Sequence, residues 1–452
     1  MVSSRKSGFD LTERVADALF PLIPEGRSIL LGLSGGVDSV VLLYLLHKLS
    51  VRYSWRLSAL HVHHGINPKA DAWATFCADL CARHNIPLQI ERVNIAPLRS
   101  LGIEAAARKL RHAAFARQSV DFIALAHHLD DQAETLLLQL LRGAGVRGAS
   151  AMPAIKHRAN APSLIRPLLD VPRSVLMEYA RKHALQWVED GSNADETYPR
   201  NFLRHRVLPQ LEQFFPAYRK TFLRSAQHFA EATELLDELA QQDAKLAIVD
   251  NRLDVRRLCT FGATRGKNLL RYFLATQGAP IPDSTRLQEM LRQLCNARQD
   301  AQVCIEWQSW QIRRHRNYAF SMHALPLPVD FTVVWHGEAE ILLSPPYGRL
   351  CFKQVVGQGL SLSKLQLGDV TIRPRRGGEN IRVDAARPPQ SLRNLLQEHE
   401  ILPWQRDLLP LLFLNTELVC IPGVVSANAY KAQLGEAGVE IIWDERSDKQ
   451  SD

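Results

Sequence analysis

Ser34-Gly35-Gly36-Val37-Asp38-Ser39 is the segment of this chain best suited to chemistry. It follows an apolar run, Ser28 to Leu33, and opens a stretch, Asp38 to Leu49, that is apolar almost all round. Paired glycines let a backbone turn sharply and approach a ligand, and successive N–H groups at a helix N-terminus favour an anion. Such a loop suits a phosphate or pyrophosphate, with the Ser34 and Ser39 hydroxyls as added donors. Asp38 would repel a bare phosphate, so it fits either as a helix cap or beside a magnesium ion. No Gly-Lys-Ser/Thr follows, which excludes a Walker A loop, and Gly-x-Gly-x-x-Gly does not fit either.

Further polar residues gather where strands should end. The apolar segment Leu57 to Val62 runs into His63 and His64, and Phe122 to Ala126 runs into His127-His128-Leu129-Asp130-Asp131. In open parallel sheets ligands bind beyond the carboxyl ends of the strands. Asp131 and Glu134, three apart, share one helix face, either offsetting the helix dipole or holding magnesium or a cationic substrate. Arg108 and Arg111 share another face and could meet phosphates or RNA, although Glu104 and Arg108 also have the spacing of a surface ion pair. Arg200, Asn201, Arg204 and Arg206 form a second basic cluster, and Arg373, Arg375 and Arg376 a third.

The elements that must position these residues alternate. Strand patterns at 28–33, 57–62, 88–93 and 122–126 interleave with helical ones at 38–49, 70–84, 104–118 and 130–141. This predicts an α/β fold with a parallel sheet covered on both faces. Arg142 to Ala149 reads as a flexible basic loop, and a helix opens at Pro172. Residues 214–296 read as helical, 303–320 as a hairpin, 326–346 as a proline-punctuated linker, and the remainder as a small mixed α/β module with a disordered tail from Ser447. The expected division is a catalytic domain at 1–215, a mostly helical domain at 216–325, and a linker with a small C-terminal domain at 326–452.

A chain of 452 residues, 46% hydrophobic and 23% charged, has a globular composition. It lacks the run of roughly 18 apolar residues that a membrane span needs, and Met1 to Asp10 does not resemble a signal peptide. Seven scattered cysteines favour a reducing cytoplasm over a disulfide framework. A net charge of +8 favours a polyanionic partner, nucleic acid first.

The Ser-Gly-Gly-x-Asp-Ser string resembles the signature of the ATP pyrophosphatases, which cleave ATP between its α- and β-phosphates and activate a carbonyl as its adenylate. Within them the chain resembles the tRNA(Ile)-lysidine synthetases. The resemblance is carried by Gly102-Ile103-Glu104-Ala105 with Arg108 and Arg111, by the stretch His127 to Thr135, and by Arg166 to Leu169. It continues through Glu189 to Asn193 and Arg200 to Arg204, with Pro403-Trp404 and Arg406 near the C-terminus. His112 stands where relatives often carry Tyr, and Asn67-Pro68 where some have a basic residue. The resemblance implies that ATP adenylates the C2 oxygen of the wobble cytidine in an isoleucine tRNA with a CAU anticodon. The amine of free lysine then displaces AMP to give lysidine.

For the residues it implies that the loop holds pyrophosphate and Asp38 works near Mg2+. It puts Arg108 at the α-phosphate, and Asp131 and Glu134 on the lysine, with Arg204 nearby. His63, His64, Arg111, His127 and Arg200 would line the tRNA side, and Arg373, Arg375 and Arg376 would grip tRNA phosphates. A homodimer fits this picture. The rivals are a tRNA thiolase, opposed by the lack of any Cys-x-x-Cys, and a non-catalytic RNA-binding protein.

Overall fold

The computed structural model describes residues 10–158, 161–298, 301–384 and 386–444. The tail from Ser447 lies outside them. The chain forms two compact units that divide between Leu236 and Asp237.

In the first unit α1 (Leu11–Leu19) leads into β1 (Ser28–Gly32), α2 (Val37–Arg52), β2 (Arg56–His63), α3 (Ala70–Arg83), β3 (Leu88–Arg92), α4 (Ile103–Ala116), β4 (Phe122–Ala124) and α5 (Leu129–Leu141). Then come α6 (Val146–Ala149), β5 (Ile155–Lys156), β6 (Ser163–Ile165), α7 (Arg173–Lys182), α8 (Pro199–Phe202) and α9 (Leu208–Phe214). The sheet order is β3-β2-β1-β4-β6-β5. All neighbours are parallel except β5, which pairs antiparallel with β6 at the edge. Apolar residues fill both faces. Leu31, Val41, Leu45 and Leu176 belong to one cluster, and Leu30, Leu60, Phe115 and Ile123 to the other. That two-sided burial is why the strands read as short apolar runs.

The strand order fixes where a ligand can sit. The chain lays down β1, β2 and β3 in one direction, then returns to place β4 on the other flank of β1. The crevice at such a reversal opens beyond the carboxyl ends of the two flanking strands. Here those ends carry the glycine loop after β1 and the histidines after β4. The segment expected to be a flexible loop at 142–149 instead contains α6, a single helical turn.

A 30-residue helix, α10 (Tyr218–Ala247), follows. In the second unit a small hairpin, β7 (Ile248–Val249) and β8 (Arg252–Asp254), interrupts the expected helical stretch before α11 (Val255–Thr260), α12 (Gly262–Thr276) and α13 (Ser284–Asn296). The expected hairpin at 303–320 gains a third strand, as β9 (Cys304–Trp307), β10 (Trp310–His315) and β11 (Tyr318–His323), and β8 pairs with β11. Leu258, Phe273, Met290 and Ile312 fill its core. Packing α11 beside α13 brings Cys259 and Cys295 to a Cα separation of 5.7 Å, and they form a disulfide that the scattered spacing had not suggested.

The C-terminal region is richer in strands than expected. Val333–Trp335 pairs with Val370–Arg373, and Glu340–Leu342 pairs with Arg349–Val356, so the proline-punctuated segment at 326–346 is more than a linker. Its Val333 and Ile341 face the local core, which explains why this segment orders. Among the described residues no helix is long and apolar enough to cross a membrane.

Candidate active site at the carboxyl rim of the sheet

The glycine loop is built for close approach. Gly35 has φ +88°, and a Cβ there would lie 2.8 Å from Val188 Cγ2. Gly36 caps α2, with no side chain on the first-turn N–H groups. Ser39 Oγ donates to the Gly36 carbonyl at 2.9 Å and lies 3.1 Å from Ser34 Oγ, which holds both hydroxyls beside the turn. Asp38 is therefore in the first turn and is not the cap.

The Asp38 carboxylate reaches across to α5. Its Oδ2 lies 3.6 Å from His128 Nε2, and the same nitrogen lies 3.5 Å from Asp131 Oδ2. His128 Nδ1 is 3.7 Å from Asp130 Oδ2. One buried imidazole thus stands among three carboxylates. Burial alone would lower its pKa, but the bond to Asp38 and the charges of Asp131, Asp38 and Asp130 outweigh it, and the pKa is raised. His128 was missed as a site residue. Its signal was present, a histidine directly before a helix with acids two and three positions on, but only the fold distinguishes it from its neighbour His127.

Asp131 and Glu134 come together as their spacing requires, and both are already engaged. Arg200 Nε donates to Glu134 Oε2 at 2.6 Å, and its Nη2 to Asp131 Oδ1 at 2.9 Å. Arg204 donates to both Glu134 oxygens, at 2.6 and 3.0 Å. Glu134 is fully buried. Burial opposes ionisation of Asp131, yet His128, Arg200 and His127 hold its pKa below the usual carboxylate range. Arg204 is carried on a π-helical turn, Leu203–Val207, a distortion that often marks a functional site. Two guanidiniums thus stand where the resemblance puts the lysine ammonium groups.

The other rim residues divide. His63 is buried, with Nε2 3.2 Å from Asp71 on α3, which is itself paired with Arg92. His64 has a buried Nδ1 without a hydrogen-bond partner, and burial together with Arg111 lowers its pKa to about 4. His127 accepts from Arg166 Nε at 3.3 Å, and burial lowers its pKa to about 3, helped by Arg166, Arg111 and Arg200 against Asp131. Arg108 is exposed on α4.

In the second unit the three expected tRNA-gripping arginines are also engaged. Arg373 lies 3.8 Å over the Phe413 ring and 3.3 Å from Glu379. Arg376 pairs with Asp330 at 2.9 Å, and Arg375 stands 3.9 Å from Asp407. Arg375, Arg393 and Arg316 lie near Arg406, whose pKa is lowered by burial and by those charges.

A PP-loop domain model matches residues 10–211, a TilS substrate binding domain matches 253–320, and a TilS substrate C-terminal domain matches 370–443. A tRNA(Ile)-lysidine synthase of Nitrosomonas europaea is 43% identical over 437 residues, 96% of this chain and 95% of that protein. The chain belongs to the tRNA(Ile)-lysidine synthase family. Other members are similar over nearly as much of its length. The one from Coxiella burnetii is 37% identical over 90% of each chain, and that of an Azoarcus species 39% identical over 91% of this chain and 90% of its own.

Proposed function

We propose that the rim between the glycine loop and α5 carries out both halves of the family's reaction. The chain is a ligase that forms a carbon–nitrogen bond, converting the wobble cytidine of isoleucine tRNA to lysidine at the expense of ATP. In the first half the C2 oxygen of the cytidine attacks the α-phosphorus, and pyrophosphate leaves onto the N–H groups of Gly36 to Ser39. In the second half the lysine ε-amine attacks C2, the C2–oxygen bond breaks, and AMP departs with that oxygen. The amine loses a proton in this step. The base then pairs with A in place of G, which changes the codon read.

One observation carries the reading: His128 joins the two halves. Asp38 of the loop and Asp131 of α5 approach the same nitrogen, at 3.6 and 3.5 Å. A free amino acid with two ammonium groups suits the Asp131 and Glu134 carboxylates, with Arg200 and Arg204 giving way or turning toward the lysine carboxylate. Arg108 would face charge growing on the α-phosphate.

Magnesium fits Asp38. Its Oδ1 is buried without a hydrogen-bond partner, an unusual position for a carboxylate oxygen. Mg2+ is commonly held by one or two carboxylates plus substrate phosphates, so the absence of a three-ligand cluster among the described residues is compatible with it. Bound there, the ion would neutralise charge on the ATP phosphates.

The thiolase reading has no support from the cysteines. Burial pushes the Cys77 and Cys81 thiols up to about 12 and about 11, which keeps them protonated and inert. The direct test supplies ATP, Mg2+, labelled lysine and isoleucine tRNA. We expect one lysine per tRNA and one AMP per lysine. Release of AMP without lysine transfer would defeat the reading.

A further inference from the structure

Burial and charge compensation part company beside β6. Arg166, directly after that strand, is 7% exposed. Its Nε donates to His127 Nδ1 at 3.3 Å and its Nη1 to the Pro153 carbonyl at 2.7 Å. Neither partner is negatively charged. Among the described residues the charges that act on it are those of Arg108 and Arg158, and burial plus their repulsion lowers its pKa to about 10. It stays a cation at neutral pH. A buried charge is normally paired, because leaving water without a counter-ion is costly.

The surroundings repeat the pattern. Arg108 and His112 are one turn apart on α4 and share a face. Burial, with Arg108, Arg111, Arg158 and Arg166, lowers the His112 pKa to about 4. His112 and His64 are therefore neutral at pH 7, and each has a buried Nδ1 without a hydrogen-bond partner. Guanidiniums match the geometry of phosphate oxygens, and neutral imidazoles can stack on or hydrogen-bond to an unpaired base. Arg166 follows β6, which lies two strands from β1. Strands stand about 5 Å apart, so this cluster is roughly 10 Å from the line of the glycine loop and suits an anion other than the pyrophosphate.

We propose that Arg166 and Arg158 seat a phosphodiester of the tRNA chain adjoining the cytidine to be modified. The inference rests on the reading above and adds the part of the substrate that this corner receives. The seat supplies the counter-ion that Arg166 lacks and anchors the backbone while the base turns toward the α-phosphate. Arg158 and Arg166 are positioning residues, since they touch substrate remote from the reacting atoms.

The test compares tRNA and ATP dependence in the full-length enzyme. Arg158→Ala should raise KM for isoleucine tRNA about tenfold and reduce the salt slope of tRNA binding by about one, with KM for ATP unmoved. Arg158→Lys should recover part of the loss. A tRNA with a neutral methylphosphonate at each phosphodiester flanking the cytidine should bind the normal enzyme as weakly as natural tRNA binds Arg158→Ala, and the two changes together should add no further loss. Arg166→Gln should act in the same direction. If it fails to fold, Arg158→Ala still decides. A rise in KM for ATP with tRNA unaffected, or fully additive losses, overturns the proposal. If the normal enzyme makes no lysidine, the functional reading itself fails. If it makes lysidine and Arg158→Ala is unchanged, only the phosphate seat fails.

Discussion

Two arginine clusters lie on the same rim and differ in one respect. Arg200 and Arg204 are partly buried against Asp131 and Glu134, and those carboxylates outweigh desolvation and raise both pKa values. Arg166 is buried, its hydrogen-bond partners among the described residues, His127 and Pro153, carry no negative charge, and its pKa is lowered. The same side chain in a similarly dry setting is stabilised in one place and strained in the other. The first cluster has its counter-charge within the protein, and in the proposed reaction a cationic substrate would have to displace it. The second, on the proposal, takes its anion from the tRNA. On the proposed reading, α5 recognises the amine and the β6 corner the RNA backbone.

The comparison can be broken or sharpened in several ways. The largest effect should come from Asp38→Asn, which leaves the fold and both clusters in place. We expect AMP formation to fall on the order of a hundredfold or more, measured with saturating tRNA and lysine. Glu134→Gln should cost about 3 kcal/mol of stability, because Arg200 and Arg204 lose their shared counter-charge, and urea unfolding would measure it. Gly35→Ala should cost about 1–2 kcal/mol and raise KM for ATP, because its positive φ and the nearby Val188 resist a Cβ.

The smallest effect is on pH dependence. His64, His112 and His127 have folded pKa values depressed to about 4, 4 and 3, so the unfolded chain binds more protons than the folded one below the ordinary histidine pKa. Their contribution should be present above pH ~6.5 and be lost as pH falls toward 4. His128 has the opposite sign. Its raised pKa gives stability that is full below pH ~6.5 and declines as pH rises through the folded value. Unfolding free energies of His112→Gln and His128→Gln across pH 4 to 8 should therefore change slope in opposite directions.

The sequence made the loop legible because its chemistry is local. Two glycines, two serines and an aspartate between a strand and a helix leave few other uses. The pairing of Asp131 with Glu134 was legible for the same reason, since helical spacing alone joins them. His128 was harder, because adjacent histidines at a strand end point in different directions and only the backbone decides which meets Asp38. The basic run at Arg373 to Arg376 shows what sequence spacing leaves out. Its residues read as a patch, yet Glu379 and Phe413 hold one, Asp330 another, and those partners lie up to 46 positions away. The hairpin at Ile248–Asp254 and the strands between Pro326 and Pro346 escaped because each is two or three residues long and ordered by distant neighbours.

The central claim is that one rim couples adenylation of the base to attack by the amine, with Glu134 serving only the second half. The most direct measurement is tRNA-dependent exchange of pyrophosphate into ATP without lysine, alongside lysine incorporation, in the normal enzyme and in folded Glu134→Gln. The account predicts that exchange persists in the variant while lysine incorporation falls steeply and its KM for lysine rises. Loss of both activities together in a folded variant, or lysine incorporation at the normal rate, would contradict it.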